Sequence, residues 1–167
     1  TNGVYDESKG FGFETEEQAN SVTKVYRNAK TAPRNAGFMY GEGNASWLVS
    51  LPNGRYGVAF VSGDFDKNGI SVRSTVTVNG VSVMQDKAIP AGGVGEYYAL
   101  VEVTDGVMRF DLSGTWILNA IEIYPYRETD LSGSGAFVVT RNGGYIEAEA
   151  ALENSSDAYI RSATSNS

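Results

Sequence analysis

Leu51-Pro52-Asn53-Gly54-Arg55-Tyr56-Gly57-Val58-Ala59-Phe60-Val61-Ser62-Gly63-Asp64 carries the plan of this chain. Tyr56, Val58 and Phe60 alternate with Gly57, Ala59 and Val61, the two-residue period of a half-buried strand. Just ahead, Trp47, Val49 and Leu51 alternate with Ser46, Leu48 and Ser50 in the same way. Pro52-Asn53-Gly54 lies between the two runs. Proline fixes its own φ, and asparagine and glycine tolerate positive φ, so the segment predicts a tight hairpin from Ala45 to about Ser62. Trp47 and Tyr56 fall on its core face and are expected to point inward, away from any ligand.

Further strands follow on either side. Gly37-Phe38-Met39-Tyr40-Gly41 reads as a short strand, with a turn expected at Gly41-Glu42-Gly43-Asn44. Val72, Ser74, Val76 and Val78 alternate with Arg73, Thr75 and Thr77, and Asn79-Gly80 then turns tightly into Val81-Ser82-Val83-Met84. Tyr97, Ala99, Val101 and Val103 share one face of a strand beginning near Glu96. Turns are expected at Thr104-Asp105-Gly106 and at Ser113-Gly114, the latter leading into a last strand from Thr115 to Tyr124. Near the start, Phe11 and Phe13 suggest a brief strand, and Thr15 caps one helical turn at Glu16-Glu17-Gln18-Ala19. Eight to ten short strands at regular spacing, with no long helical pattern, predict an all-β fold, an antiparallel β-sandwich.

Composition narrows the function. The 167 residues suffice for one good core. Thirteen basic against twenty acidic residues give a formal charge of -7, which argues against nucleic acid and anionic membrane surfaces, since both demand a basic face. There is no cysteine, so no disulfide scaffold forms. Histidine is also absent, which removes the Ser-His-Asp triad, histidine-ligated zinc and the usual general base. No pair of carboxylates is marked out for glycosidase chemistry, and the chain is expected not to be an enzyme. From about residue 127 the texture changes. Residues 127–136 read as a glycine-serine linker after a first domain at 1–126, and 137–167 as the start of a second β domain or a tail packing on the first.

Leu51-Pro52-Asn53-Gly54-Arg55-Tyr56-Gly57-Val58 with Gly63-Asp64, Val76-Thr77-Val78-Asn79-Gly80 and Leu118-Asn119-Ala120-Ile121-Glu122-Ile123 resemble the galactose-binding-like β-sandwiches, jelly rolls that include malectin-like domains and carbohydrate-binding modules. The opening Gly10-Phe11-Gly12-Phe13 is similar to the start of accessory domains of rhamnogalacturonan acetylesterases. The resemblance covers about residues 4 to 126. It implies a secreted, non-catalytic module that binds plant cell-wall polysaccharide, pectin or hemicellulose, beside neighbouring domains of a larger extracellular enzyme. Two other classes stay open: a structural spacer packed on a catalytic domain, and an adhesin-like protein-recognition module. Tyr145-Ile146-Glu147-Ala148-Glu149-Ala150 resembles the first strand of family 6 and 35 carbohydrate-binding modules, where the paired glutamates ligate calcium.

The candidate sugar-binding residues are Trp116, Tyr98, Tyr40 and Asn119. A flat indole suits the apolar C–H face of a pyranose, and Trp116 is expected opposite a face holding Ile117, Asn119, Ile121 and Ile123. Tyr98 follows the Gly92-Gly93 loop and should point outward where Tyr97 points inward. Asp64-Phe65-Asp66-Lys67-Asn68-Gly69 matches the first half of a calcium loop, which makes Asp64, Asp66 and Asn68 the candidate metal ligands. Thr75 stands where such a loop needs its bidentate acid, and the competing reading is a polar loop with a glycine turn.

Overall fold

The structure is a computed structural model that describes residues 3–27 and 33–126. The linker at 127–136, the segment at 137–167 and the calcium pair Glu147 and Glu149 lie outside the described residues. Ten strands run in chain order among the described residues: β1 (Phe11–Phe13), β2 (Thr23–Tyr26), β3 (Gly37–Glu42), β4 (Ala45–Ser50), β5 (Gly54–Gly63), β6 (Val72–Val78), β7 (Val81–Ile89), β8 (Val94–Val103), β9 (Val107–Leu118) and β10 (Ala120–Pro125). Two short helices accompany them among the described residues, α1 (Glu16–Ser21) and α2 (Pro33–Ala36). Every strand pair is antiparallel, and the strands form two sheets, so the all-β sandwich read from the spacing is what forms. Thr15 caps α1 as expected, its Oγ1 accepting from the Gln18 amide at 3.2 Å.

The large sheet is organised by β9. On one side β9 pairs with β6, which pairs with β7. On the other it pairs with β4 through Val107 to Leu112 and with β3 through Thr115 to Leu118. The register runs through Gly43 and Asn44 without a slip, and the Gly43 amide donates to the Gly114 carbonyl at 2.8 Å. β3 and β4 are therefore one long line of chain beside β9, with β2 and β1 end to end on its far edge. Neither the Gly41–Asn44 turn nor the Ser113-Gly114 turn forms. Gly114 instead takes φ +84 within β9, where an added Cβ would stand 2.4 Å from the Arg73 carbonyl oxygen.

The small sheet has the order β10-β5-β8. This corrects the hairpin expected at Pro52-Asn53-Gly54. β4 belongs to the large sheet and β5 to the small one, so the turn carries the chain from one sheet to the other. Local turn chemistry marks the reversal but not which sheet the next strand joins. The Gly106 amide donates to Asn53 Oδ1 and the Leu51 amide to the Gly106 carbonyl, which ties this crossover to the one between β8 and β9. Asn79-Gly80 does close a true hairpin, β6–β7, with φ of 46 and 80.

Between the sheets lie Val58, Phe60, Val76, Val78, Val101, Val103, Met108, Phe110, Leu112 and Trp116, all essentially inaccessible. β5 is buried on both faces rather than half-buried, because the small residues Gly57, Ala59 and Val61 run down the middle of its outer face between larger neighbours. The sandwich is asymmetric. Three strands cannot cover a sheet five ranks wide, and the inner face of β1, β2 and β3 extends past β10, which has no further strand beside it among the described residues.

Candidate functional site

That overhang leaves a groove of about 540 Å³. Its base is Met39, Val49 and Leu118 of the large sheet, and its near wall is Ile121 and Ile123 of β10. Phe11, Tyr26, Phe38 and Trp47 are the aromatic residues of its lining among the described residues. Trp47 packs edge-on against Phe13, with centroids 4.9 Å apart, and stacks with Phe11 at 6.0 Å and 26°. Phe11 is 53% exposed and Tyr26 is 81% exposed. Tyr26 sits opposite Gly37 in the β2–β3 ladder, and its ring lies 3.4 Å from where a Gly37 Cβ would be. The missing side chain lets the phenol lie along the sheet. Lys24, two residues before Tyr26 on the same face, is the one charged residue of the lining among the described residues.

Asn119 also lines this groove, at the single residue where the chain leaves β9 for β10. Its amide N–H donates to the Val61 carbonyl at 3.0 Å. Its side-chain Oδ1 and Nδ2 are shielded from solvent and have no hydrogen-bond partner among the described residues. An amide with two donors and an acceptor left unmatched behind a groove wall is costly to the fold, and a polyhydroxylated ligand reaches it only once the side chain turns out into the groove.

The other expected sugar contacts lie elsewhere. Trp116 is 1% exposed, its indole lies over Gly41, and its Nε1 donates to the Gly43 carbonyl at 3.2 Å. It is a core residue and presents no face to a ligand. Gly114 continues β9 instead of ending it, so Trp116 stays in inner-face register with Met108, Phe110 and Leu112. Tyr98 does point outward, 59% exposed, but on the outer face of the small sheet, opposite Ala59. Tyr40 is half-buried opposite Ile117, and its hydroxyl donates to Glu42, which raises the phenol pKa. The four residues do not converge, and only Asn119 belongs to the groove.

The Asp64 loop has a different chemistry from the calcium loop it resembles. Asp64 is wholly buried, and four donors reach its carboxylate: Arg27 Nη2 at 2.6 Å and Nε at 3.2 Å, the Ile70 amide at 2.9 Å and the Asp66 amide at 3.1 Å. Burial pushes the Asp64 carboxyl up, but Arg27 and the two amides outweigh it and hold it below its ordinary value. Asp66 Oδ1 accepts from the Asn68 amide, and a Gly69 Cβ would fall 2.2 Å from Asp64 Oδ2. A guanidinium stands where calcium would need oxygen ligands, and no metal-binding cluster of His, Cys, Asp and Glu occurs among the described residues. Asp64, Asp66 and Asn68 do not fit calcium in this arrangement.

Sequence reasoning missed Trp47, Phe11, Tyr26 and Lys24 as site residues. The period-two pattern correctly directed Trp47 inward; what it lacks is the width of the opposing sheet, which decides whether an inward residue is covered.

Neither a family model nor a curated protein matches the chain. Among solved structures it is similar to protein YXIM of Bacillus subtilis, with TM-score 0.55 and 21% identity over 74% of this chain and 34% of that one. It is similar to the plant receptor-like kinase FER, with TM-score 0.54 and 10% identity over 68% and 35% of the two chains. It is also similar to Bacteroides uniformis beta-glucuronidase 2, with TM-score 0.51 and 13% identity over 69% and 14%. The chain thus spans about a third or less of these proteins, and at these identities the likeness is one of fold: an antiparallel β-sandwich that recurs as a part of larger proteins.

Proposed function

We propose that the chain is a non-catalytic carbohydrate-binding module of the galactose-binding-like kind, secreted as an accessory to a larger enzyme, and that it holds plant cell-wall polysaccharide (pectin or hemicellulose) in the groove beside β10. The observation that carries this reading is the unpartnered Asn119 amide in a groove flanked by Trp47, Phe11 and Tyr26. Rigid aromatic side chains accept the apolar face of a sugar ring, and a few placed polar groups set its orientation. Similarity to a part of a beta-glucuronidase agrees with a place beside a carbohydrate-active domain. The groove also favours a second reading. Met39, Val49 and Leu118 in the base and Ile121 and Ile123 in the near wall make it strongly apolar, as a seat for a neighbouring domain would be.

The test is retention on insoluble pectin and xylan in affinity gels, with Tyr26→Ala and Trp116→Phe compared with the parent chain. Tyr26 is so exposed that its loss should leave stability within about 0.5 kcal/mol. Retention should fall with Tyr26→Ala and persist with Trp116→Phe. A parent chain that passes through both gels unretarded would favour the domain-docking reading instead. Adding chelator should leave retention unchanged, as expected if the Asp64 loop holds no ion.

A further inference from the structure

Among the described residues Lys24 is the one charged side chain in a groove that otherwise offers aromatic, aliphatic and amide groups. Among the described residues no acidic side chain lines the groove, although acids outnumber bases by twenty to thirteen in the chain. Arginines 27, 73 and 109 are each paired with a carboxylate, at Asp64, Asp86 and both Glu14 and Asp111. Among the described residues Lys24 makes no ion pair or hydrogen bond, and it is exposed. It faces Met39 across the ladder and shares its face with Tyr26, so the alkyl stem has apolar surface to lie along while the ammonium stays in water.

Resting on the carbohydrate reading above, we infer that the groove prefers a saccharide bearing a carboxylate, a uronic acid, and that Lys24 is the specificity-determining residue. A uronate places its carboxylate on the ring edge while leaving a C–H face for an aromatic side chain. An aromatic flank, an amide for hydroxyls and an unpaired ammonium match those three features in turn. The ammonium forms a charge-assisted hydrogen bond with the carboxylate, an interaction a neutral hexose or pentose cannot make. Because Lys24 sits at the groove's edge in contact with solvent, the preference is modest and screened by salt.

Calorimetric titration with trigalacturonic acid, its methyl ester and neutral xylotriose tests this, because the ester keeps the rings and removes the charge. The parent chain should bind the acid about five-fold more tightly than the ester at low salt. The gap should narrow in high salt and close in Lys24→Gln, with ester affinity unaltered. Lys24→Glu should bind the acid more weakly than the ester. Equal affinity for acid and ester in the parent chain, with both weakened by Tyr26→Ala, would overturn the preference and leave the carbohydrate reading standing. Failure of all three probes to bind would remove both.

Discussion

Gly41 and Trp116 compete for one volume, and only a glycine leaves it to the indole. A Cβ on Gly41 would lie 2.2 Å from Cζ2 and 2.6 Å from Cε2 of Trp116. The segment Gly41-Glu42-Gly43 looks like turn chemistry because glycine is scored by its backbone freedom, whereas here one glycine serves by having no side chain. Gly41→Ala should therefore destabilise the fold by about 3 kcal/mol, since a packed core has no slack for an added methyl. Trp116→Phe, which removes the bond to the Gly43 carbonyl and leaves a void, should cost about 2 kcal/mol alone. The smaller ring makes room for the methyl, so the double variant should be more stable than the sum of the two losses by at least about 1 kcal/mol. Urea unfolding of the four proteins checks this. Strict additivity would mean that the two side chains do not share the space.

At the scale of elements, strand existence and facing were legible, and strand partnership was not. Val72, Val76 and Val78, and Ala99, Val101 and Val103, are buried as their two-residue period predicts, because that period comes from the pleat alone. Whether Pro52-Asn53-Gly54 closes a hairpin or crosses between sheets depends on strands distant in sequence, β9 and β8, and no local residue encodes it. The same limit hid the groove, which exists because one sheet is wider than the other. The change from β9 to β10 takes place at one residue, Asn119, whose backbone is held by Val61 while its side-chain amide is left unmatched. An isosteric apolar side chain would remove that unmet hydrogen-bonding demand. Asn119→Leu should raise stability by about 1 kcal/mol in urea unfolding and at the same time weaken polysaccharide retention. A gain in stability with retention unchanged would mean that the amide takes no part in binding.

Across the whole molecule, the absence of histidine sets the response to pH. No side chain with an ordinary pKa titrates between about pH 5 and 8, so stability should be level across that range. Below it, the paired carboxylates take over. The Arg109 guanidinium, by hydrogen bonding, holds the Glu14 carboxyl below its usual value, and Asp64 is held down by Arg27 and two amides against the opposing effect of burial. A carboxyl depressed in the folded state binds its proton more readily when unfolded. Its stabilisation is complete above the unfolded value, about 3.9 for Asp and 4.3 for Glu, and is lost as pH falls through the folded value. Asp64 should dominate this loss because it is wholly buried, while Glu14 is partly screened by solvent. The urea midpoint should hold from pH 7 to about 5 and drop steeply below about 4. Asp64→Asn keeps one acceptor but removes the charge that Arg27 pairs with. It should lower the midpoint at neutral pH by an amount equivalent to about 3 kcal/mol and fall less steeply in acid, because the group that drives the decline is gone. A variant curve that runs parallel to the parent's down to pH 2.5 would place the acid sensitivity in carboxylates other than Asp64.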